Sequence, residues 1–246
     1  MPTGITRSRD QLRKRVNRFF AATDPLRADV VETLRGLEPY GRVFVFGGAI
    51  RDLALYGSAT FPSDIDVVME AADFAPMVEH LRKSGAARNR FGGFRFTTKR
   101  WKFDVWRLED TWALREGHVR GSTARTLLAT TFFNWDAIAY DFSQKRLLVQ
   151  DGYFDKLDAG LLGINLAANP NPAGNARRAL RMYASGRAGL ESGLVQFVAA
   201  NTRSYWERGL QADGEREFPG LTSFLSEFRR SAGGSLPRRD PQMPLT

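Results

Sequence analysis

Two aspartates separated by a single residue, Asp64 and Asp66, have the spacing that most directly indicates chemistry. They alternate with Ile65 and Val67, and a strand with this alternation places both carboxylates on one face and both apolar side chains on the other. Two carboxylates this close repel each other and lose hydration if they are buried. A hard divalent cation such as Mg²⁺ relieves both costs, because it takes oxygen ligands of this kind. The pattern therefore predicts a metal-binding strand.

A glycine pair upstream, Gly47-Gly48, indicates a second kind of chemistry. It follows the apolar run from Val43 to Phe46 and precedes a helical pattern that contains Arg51. Because glycine has no Cβ, its backbone N–H can approach a phosphate closely, and the N-terminus of the following helix favours an anion. Together with the paired-carboxylate strand, this turn predicts a metal-dependent nucleotidyl-transfer site.

The order of these elements resembles the head domain of class II tRNA nucleotidyltransferases and bacterial poly(A) polymerases. That family has a Gly-Gly-x-x-Arg-Asp turn, a short Gly/Pro loop and Asp-x-Asp; here Arg51-Asp52, with Gly57 and Pro62 in the loop, complete the pattern. The resemblance implies an α+β fold of the polymerase β-like type, with a small mixed or antiparallel sheet flanked by helices and a helical neck domain behind it. It also implies two Mg²⁺ ions and a nucleoside triphosphate substrate, held by the glycine pair and Arg51.

A third carboxylate is expected from a neighbouring strand. The segment Trp101 to Arg107 alternates so that Asp104 shares a face with Lys102 and Trp106. In the family that this chain resembles, such a strand brings a third carboxylate to the aspartate pair, and Asp104 is the candidate by order and pattern. Asp110 is an alternative. With Asp104, the predicted metal site and catalytic centre would have three carboxylates.

A block around Phe132 to Asp141 resembles the family only in part. Thr130-Thr131-Phe132 replaces an Arg-Arg-Asp sequence, and Asp136 stands where an asparagine is expected to contact the nucleotide. The family's arginines neutralise triphosphate charge, so another cation, such as Arg125 or Lys99-Arg100, would have to substitute for them. Asp136 is still expected to lie against the nucleotide.

Arg178 and Arg181 match the neck motif Glu-Asp-x-x-Arg-x-x-Arg, and their spacing places both on one face of a helix. The resemblance implies that they contact the nucleotide. Gly174 and Asn175 replace the acidic pair of that motif. Because an amide both donates and accepts hydrogen bonds, we do not expect the choice between C and A to follow the family rule.

Composition limits the class of protein. The chain has 246 residues with 43% hydrophobic content, a net charge of +9 and a pI near 10.2, which is typical of a folded protein with a polyanionic partner such as RNA or a nucleotide. The absence of cysteine excludes disulfides and cysteine-ligated metals, and His80 and His118 are too few for a histidine site. Neither a membrane span nor a signal peptide is predicted, so we expect a cytoplasmic location and no membrane partner.

Composition shifts and the family resemblance together predict four segments. Residues 1–39 form a basic helical arm, whose amphipathic helix would either contact RNA or pack through its phenylalanines. Residues 40–168 form the nucleotidyltransferase head, and residues 169–232 form a helical neck that follows an Asn/Pro/Gly boundary. Residues 233–246 are predicted to be a disordered tail.

Three functional hypotheses follow from the motifs and the resemblance. The first is transfer of a nucleotide to an RNA 3′ end, above all that of tRNA. The second is transfer to tRNA, a protein or a small molecule by a toxin or defence enzyme with the same chemistry. The third is an RNA- or partner-binding module that keeps the fold without turnover. The lost Arg-Arg-Asp and Glu-Asp elements argue against a housekeeping CCA-adding enzyme.

Overall fold

The computed structural model of the protein describes residues 5–21, 25–57, 64–71, 73–208 and 211–238, so Pro62 of the predicted loop lies outside the described residues. The chain divides into two compact units. Unit 1 consists of Met1–Thr131 and Asp136–Phe154, and unit 2 of Phe132–Trp135 and Asp155–Thr246. The domain boundaries drawn from the sequence stay a prediction.

Unit 1 combines a sheet with helices. Its strands are β1 Arg42–Phe46, β2 Ile65–Glu70, β3 Ala87–Arg88, β4 Phe94–Thr97, β5 Lys102–Arg107, β6 Ile138–Asp141 and β7 Arg146–Val149. Its helices are α1 Arg9–Ala21, α2 Pro25–Leu37, α3 Gly48–Tyr56, α4 Ala75–Lys83 and α5 Trp112–Arg115. Short 3₁₀ helices cover Glu38–Tyr40, Leu108–Asp110 and Ala124–Ala129.

Within the described residues, the strands of unit 1 form one seven-stranded sheet in the order β3-β4-β5-β2-β1-β6-β7. The pairing of β2 with β5 is parallel, and the other pairings are antiparallel. The predicted α+β class, a mixed and mostly antiparallel sheet flanked by helices, is therefore confirmed.

One face of this sheet is mostly apolar and covered. Its side chains alternate along the three central strands and are completely buried: Val43, Val45, Ile65, Val67, Met69, Phe103 and Val105. Helix α1 lies on the same side, since the ring of Phe20 stacks on Tyr140 and the hydroxyl of Tyr140 donates to Asn17 Oδ1 at 2.7 Å. The phenylalanines of the basic arm thus belong to the core, as the packing alternative predicted.

The opposite face of the sheet combines apolar and acidic side chains. Phe44, Phe46 and Val68 pack against the 3₁₀ segment Ala124–Ala129. Asp66, the register partner of Phe46, follows on the same face at the start of β2. The acidic part of this face therefore directly adjoins its apolar cover.

Unit 2 is mostly helical. Helix α6 Tyr153–Asp158 starts in the last residues of unit 1 and leads into unit 2. The helices of unit 2 are α7 Pro172–Ala184, α8 Ser192–Glu207, α9 Gln211–Glu217 and α10 Leu221–Arg230. A two-stranded sheet joins β8 Leu161–Leu162 to β9 Gly189–Leu190. Helix α7 begins where Asn171 accepts a hydrogen bond from the Gly174 N–H at 3.0 Å, and Pro172 at its first position suits the first helical turn. None of the described helices of either unit has the length and apolar character needed to cross a membrane.

Residues 233–238 differ from the prediction of a disordered tail. Leu236 is buried and exchanges backbone hydrogen bonds with Leu190 at 2.7 and 2.8 Å, and the Arg238 Nε donates to the Gly186 carbonyl at 2.6 Å. The glycines and prolines of this segment suggested disorder by composition, but a single leucine supplies the apolar anchor that such a segment needs. Residues 239–246 lie outside the described residues.

Candidate active site

Two of the three predicted catalytic carboxylates lie side by side in the sheet. Asp66 on β2 and Asp104 on β5 are register partners in the parallel pair. Neighbouring strands are about 4.8 Å apart, so partners on one face are close neighbours. Asp64 is the exposed residue directly before β2, two positions from Asp66. The strand alternation that the sequence predicted is present.

An arginine that sequence reasoning did not identify lies among these carboxylates. Arg95 on β4 is the register partner of Asp104. Its Nε donates to Asp104 Oδ1 and Oδ2 at 2.9 and 3.2 Å, and a terminal guanidinium nitrogen donates to Oδ2 at 2.6 Å. These hydrogen bonds and the charge of Asp104 raise the pKa of Arg95, and Asp64 and Asp66 add to the effect. The charges of all three carboxylates therefore stabilise the protonated form of one guanidinium.

The carboxylates fit a divalent cation in chemistry and in register, but they are not gathered around one point. Across the described residues, no group of three or more His, Cys, Asp or Glu side chains is arranged to hold a metal ion. The assignment of Asp64, Asp66 and Asp104 as metal ligands stays a prediction. Both oxygens of Asp104 accept hydrogen bonds from Arg95.

The glycine turn has the predicted form. Strand β1 ends at Phe46, Gly47 turns the chain at φ +66°, and α3 starts at Gly48. A positive φ of this size favours glycine. The Gly47 N–H donates to the Ile138 carbonyl at 2.8 Å, and the Gly47 carbonyl accepts from the N–H of Arg51 at 3.0 Å. The turn is therefore tied both to β6 and to the helix, and the helix N-terminus next to it is a suitable anion site.

Arg51 is buried inside unit 1, where two carboxylates already pair with its positive charge. Its guanidinium donates to Asp52 Oδ1 at 2.8 Å and to Asp136 Oδ1 at 2.5 Å, and all three side chains are buried. Burial alone would lower the pKa of Arg51, but Asp136 and Asp52 outweigh it and raise the pKa. A contact of Arg51 or Asp136 with a triphosphate, as predicted from the sequence, would require this cluster to open.

The cluster includes a buried tyrosine. Burial, followed by the charge of Asp136, raises the pKa of the Tyr153 hydroxyl well above its ordinary value. The arrangement gives a reason for the aspartate at position 136, where the resembling family has asparagine. An asparagine there would leave Arg51 with one carboxylate instead of two.

The two predicted neck arginines lie on α7 in unit 2. Arg178 places its guanidinium carbon 5.2 Å from the centre of the Phe133 ring, which is the geometry of a cation–π contact. Arg181 is exposed one turn later. Gly174 and Asn175, which replace the acidic pair of the motif, form part of the first turns of the helix.

Comparisons with known proteins identify the fold. No family model matches the chain, and no curated protein matches it. Among solved structures, a tRNA-processing enzyme with CTP aligns over 82% of this chain and 56% of its own, with a TM-score of 0.54 and 16% identity. A tRNA nucleotidyltransferase complexed with a primer tRNA and an incoming ATP analogue aligns over 77% and 57%, with a TM-score of 0.50 and 18% identity. An apo form of a tRNA-processing enzyme aligns over 83% and 57%, with a TM-score of 0.53 and 17% identity.

At these identities the likeness concerns the fold, and the resemblance inferred from the motifs is confirmed at that level. The chain spans little more than half the length of the solved proteins that it matches.

Proposed function

We propose that this chain is a metal-dependent nucleotidyltransferase, which moves a nucleoside monophosphate from a nucleoside triphosphate to a hydroxyl acceptor. The acceptor oxygen forms a bond to the α-phosphorus, the bond from that phosphorus to the bridging oxygen breaks, and pyrophosphate leaves while the hydroxyl proton passes to solvent. The observation that carries the proposal is the register pairing of Asp66 with Asp104, with Asp64 two residues upstream, on a sheet of the tRNA nucleotidyltransferase fold.

Each group of residues has a role in this proposal. Asp64, Asp66 and Asp104 would hold the metal, with two Mg²⁺ expected, and bound Mg²⁺ supplies charge for the entering and leaving oxygens. The Gly47-Gly48 turn offers backbone N–H groups and a helix N-terminus to the phosphates.

The arginines divide into two roles. Arg51 positions the turn, because it bonds both Asp52 beside it and Asp136 before β6. Arg178 and Arg181 would contact the nucleotide, as the motif resemblance implies.

RNA is the acceptor that we propose, and the 3′ end of tRNA above all. The net charge of +9 suits a polyanion, and one of the structural neighbours is complexed with a primer tRNA. A protein or a small molecule is the alternative acceptor. Either would be labelled in the absence of RNA.

The direct test is incubation of the full chain with each nucleoside triphosphate, labelled at its α-phosphate, with and without total RNA and Mg²⁺. We expect label in the tRNA fraction, and Asp66→Asn should reduce it about a hundredfold or more, since a metal ligand is removed. Asp151→Asn is the matched control, because it removes a charge from an exposed turn of unit 1. Transfer that is equal in both variants would contradict the assignment of the site.

A second candidate function, RNA binding without turnover, is favoured by one observation. Arg95 neutralises Asp104, as Arg51 is neutralised by Asp52 and Asp136. For this candidate we expect a salt-dependent RNA affinity that is the same for the wild type and Asp66→Asn, with no label transferred under any condition.

A further inference from the structure

The guanidinium of Arg95 engages both oxygens of the carboxylate that pairs in register with Asp66. We propose that Arg95 is an internal counter-ion of this carboxylate face, which must release Asp104 before a divalent cation can bind there. The inference rests on the proposed function only for the use of that cation in catalysis. The exchange between guanidinium and metal is a property of the side chains themselves.

The contacts of Arg95 make the two states exclusive. Three hydrogen bonds join its Nε and a terminal nitrogen to Oδ1 and Oδ2 of Asp104. A paired carboxylate keeps lone pairs, but a metal ion on the same oxygens would lie against the positive charge of the guanidinium. Binding of the ion therefore requires the guanidinium to move away.

The Arg95 pair is also easy to open. The side chain of Arg95 is 64% exposed, whereas that of Asp104 is 14% exposed, so the guanidinium can swing into solvent while the carboxylate stays in place. Exposed ion pairs contribute about 0–1 kcal/mol to stability. The attraction between a divalent cation and the carboxylates exceeds this contribution. Arg95 thus holds Asp104 in the absence of metal without preventing its use.

The released guanidinium would have a use within the proposed function. Phosphate oxygens are strong acceptors for a guanidinium, so Arg95 would serve as a phosphate-binding cation once it has left Asp104.

The test measures metal binding by the full chain without nucleotide, so it needs no turnover. Free Mn²⁺ is followed by electron paramagnetic resonance during titration of the wild type, Arg95→Gln and Arg95→Lys. We expect Arg95→Gln to bind Mn²⁺ about fivefold more tightly, since the pair that the ion must open is gone. Arg95→Lys should lie between, because a lysine lacks the planar fork that matches a carboxylate.

A matched control separates this exchange from a general change in charge. Lys102 is exposed on the same strand as Asp104. Within the described residues the side chain that donates hydrogen bonds to Asp104 is that of Arg95, so Lys102 is a nearby cation outside the pair. Lys102→Gln removes a nearby positive charge without opening that pair, so the gain should stay below about twofold. The double variant Arg95→Gln/Asp104→Asn should lose the gain seen with Arg95→Gln.

Several results would overturn the counter-ion role. These are unchanged or weaker Mn²⁺ binding by Arg95→Gln, a gain equal to that of Lys102→Gln, a gain that survives Asp104→Asn, or no binding by any variant at millimolar Mn²⁺. Nucleotide transfer is measured separately. If nucleotide is transferred but Arg95→Gln does not bind Mn²⁺ more tightly, the counter-ion role is wrong and the proposed function stands. If Arg95→Gln binds Mn²⁺ more tightly but no nucleotide is transferred, the counter-ion role stands and the proposed function is wrong.

Discussion

Two of the arginine–aspartate clusters in unit 1 use the same chemistry in different surroundings. Arg51 bonds Asp52 and Asp136 with its side chain only 10% exposed, behind the glycine turn. Arg95 bonds Asp104 near the start of β2 and β5, with 64% of its side chain exposed. The hydrogen-bond lengths overlap, so length does not distinguish the two clusters.

Burial decides what each cluster can do. Breaking a buried ion pair leaves an unpaired charge without water, so the Arg51 cluster is a permanent part of the fold. The exposed guanidinium of Arg95 is rehydrated when its pair opens, and a cation can then replace it on Asp104, so the Arg95 pair can exchange partners. An arginine in a motif is thus not a ligand-binding residue merely because its charge suits the ligand. Its existing partners and their exposure have to be considered first.

The largest effect is expected from Arg51→Met, which leaves Asp52 and Asp136 buried without their cation. We predict that the free energy of unfolding falls by about 3–5 kcal/mol, as measured by urea denaturation followed by circular dichroism. Arg35→Met, at an exposed position near the end of α2, is the matched control and should change it by less than about 0.5 kcal/mol. A small loss in Arg51→Met would remove the distinction between the clusters.

An intermediate effect is expected at alkaline pH from Tyr153. Burial and Asp136 raise the pKa of Tyr153, so the folded protein keeps this hydroxyl protonated after the unfolded chain has lost the proton. The stability linked to this group is complete below the ordinary tyrosine pKa of about 10 and is lost as the pH rises beyond it.

Urea unfolding of the wild type and Tyr153→Phe at a series of pH values checks this sign. The phenylalanine variant should lose less stability than the wild type from pH 10 upwards. Equal slopes of unfolding free energy against pH would show that Tyr153 does not share the field of the buried cluster.

The smallest effect on stability is expected from Arg95→Gln. Removal of an exposed pair should change the free energy of unfolding by less than about 1 kcal/mol. The same measurement shows that this variant is folded for the metal titration. A loss as large as that of Arg51→Met would mean that Arg95 is structural after all.

The sequence predicted the local parts of the site well, because they follow from short-range rules. Alternation around Asp66 fixed its face, and the glycine pair fixed a strand–turn–helix that the structure contains. The environment of Arg51 could not be predicted in this way. Its partner Asp136 is 85 residues away in the chain. Sequence periodicity does not predict which distant carboxylate forms a buried ion pair with a given arginine.

Arg95 was missed although the sequence held a signal for it. Phe94, Arg95 and Phe96 alternate, so Arg95 points away from the phenylalanine face, and the following strand returns as a hairpin. The register that places Arg95 opposite Asp104 could not be predicted from this alternation. A Cβ at Gly93 would lie 3.0 Å from the Val105 carbonyl, so this glycine allows the close approach of β4 and β5 at that register.

The parallel pairing of β2 with β5 also has a consequence for the order of events during synthesis. Antiparallel neighbours can form by a simple hairpin, but a parallel pair needs a crossover, here the segment that contains α4, β3 and β4. A nascent chain that has emerged from the ribosome only as far as β4 carries Asp66 without Asp104. The acidic pair can therefore form only after β5 has been synthesised, and no N-terminal fragment that ends before Asp104 can possess it.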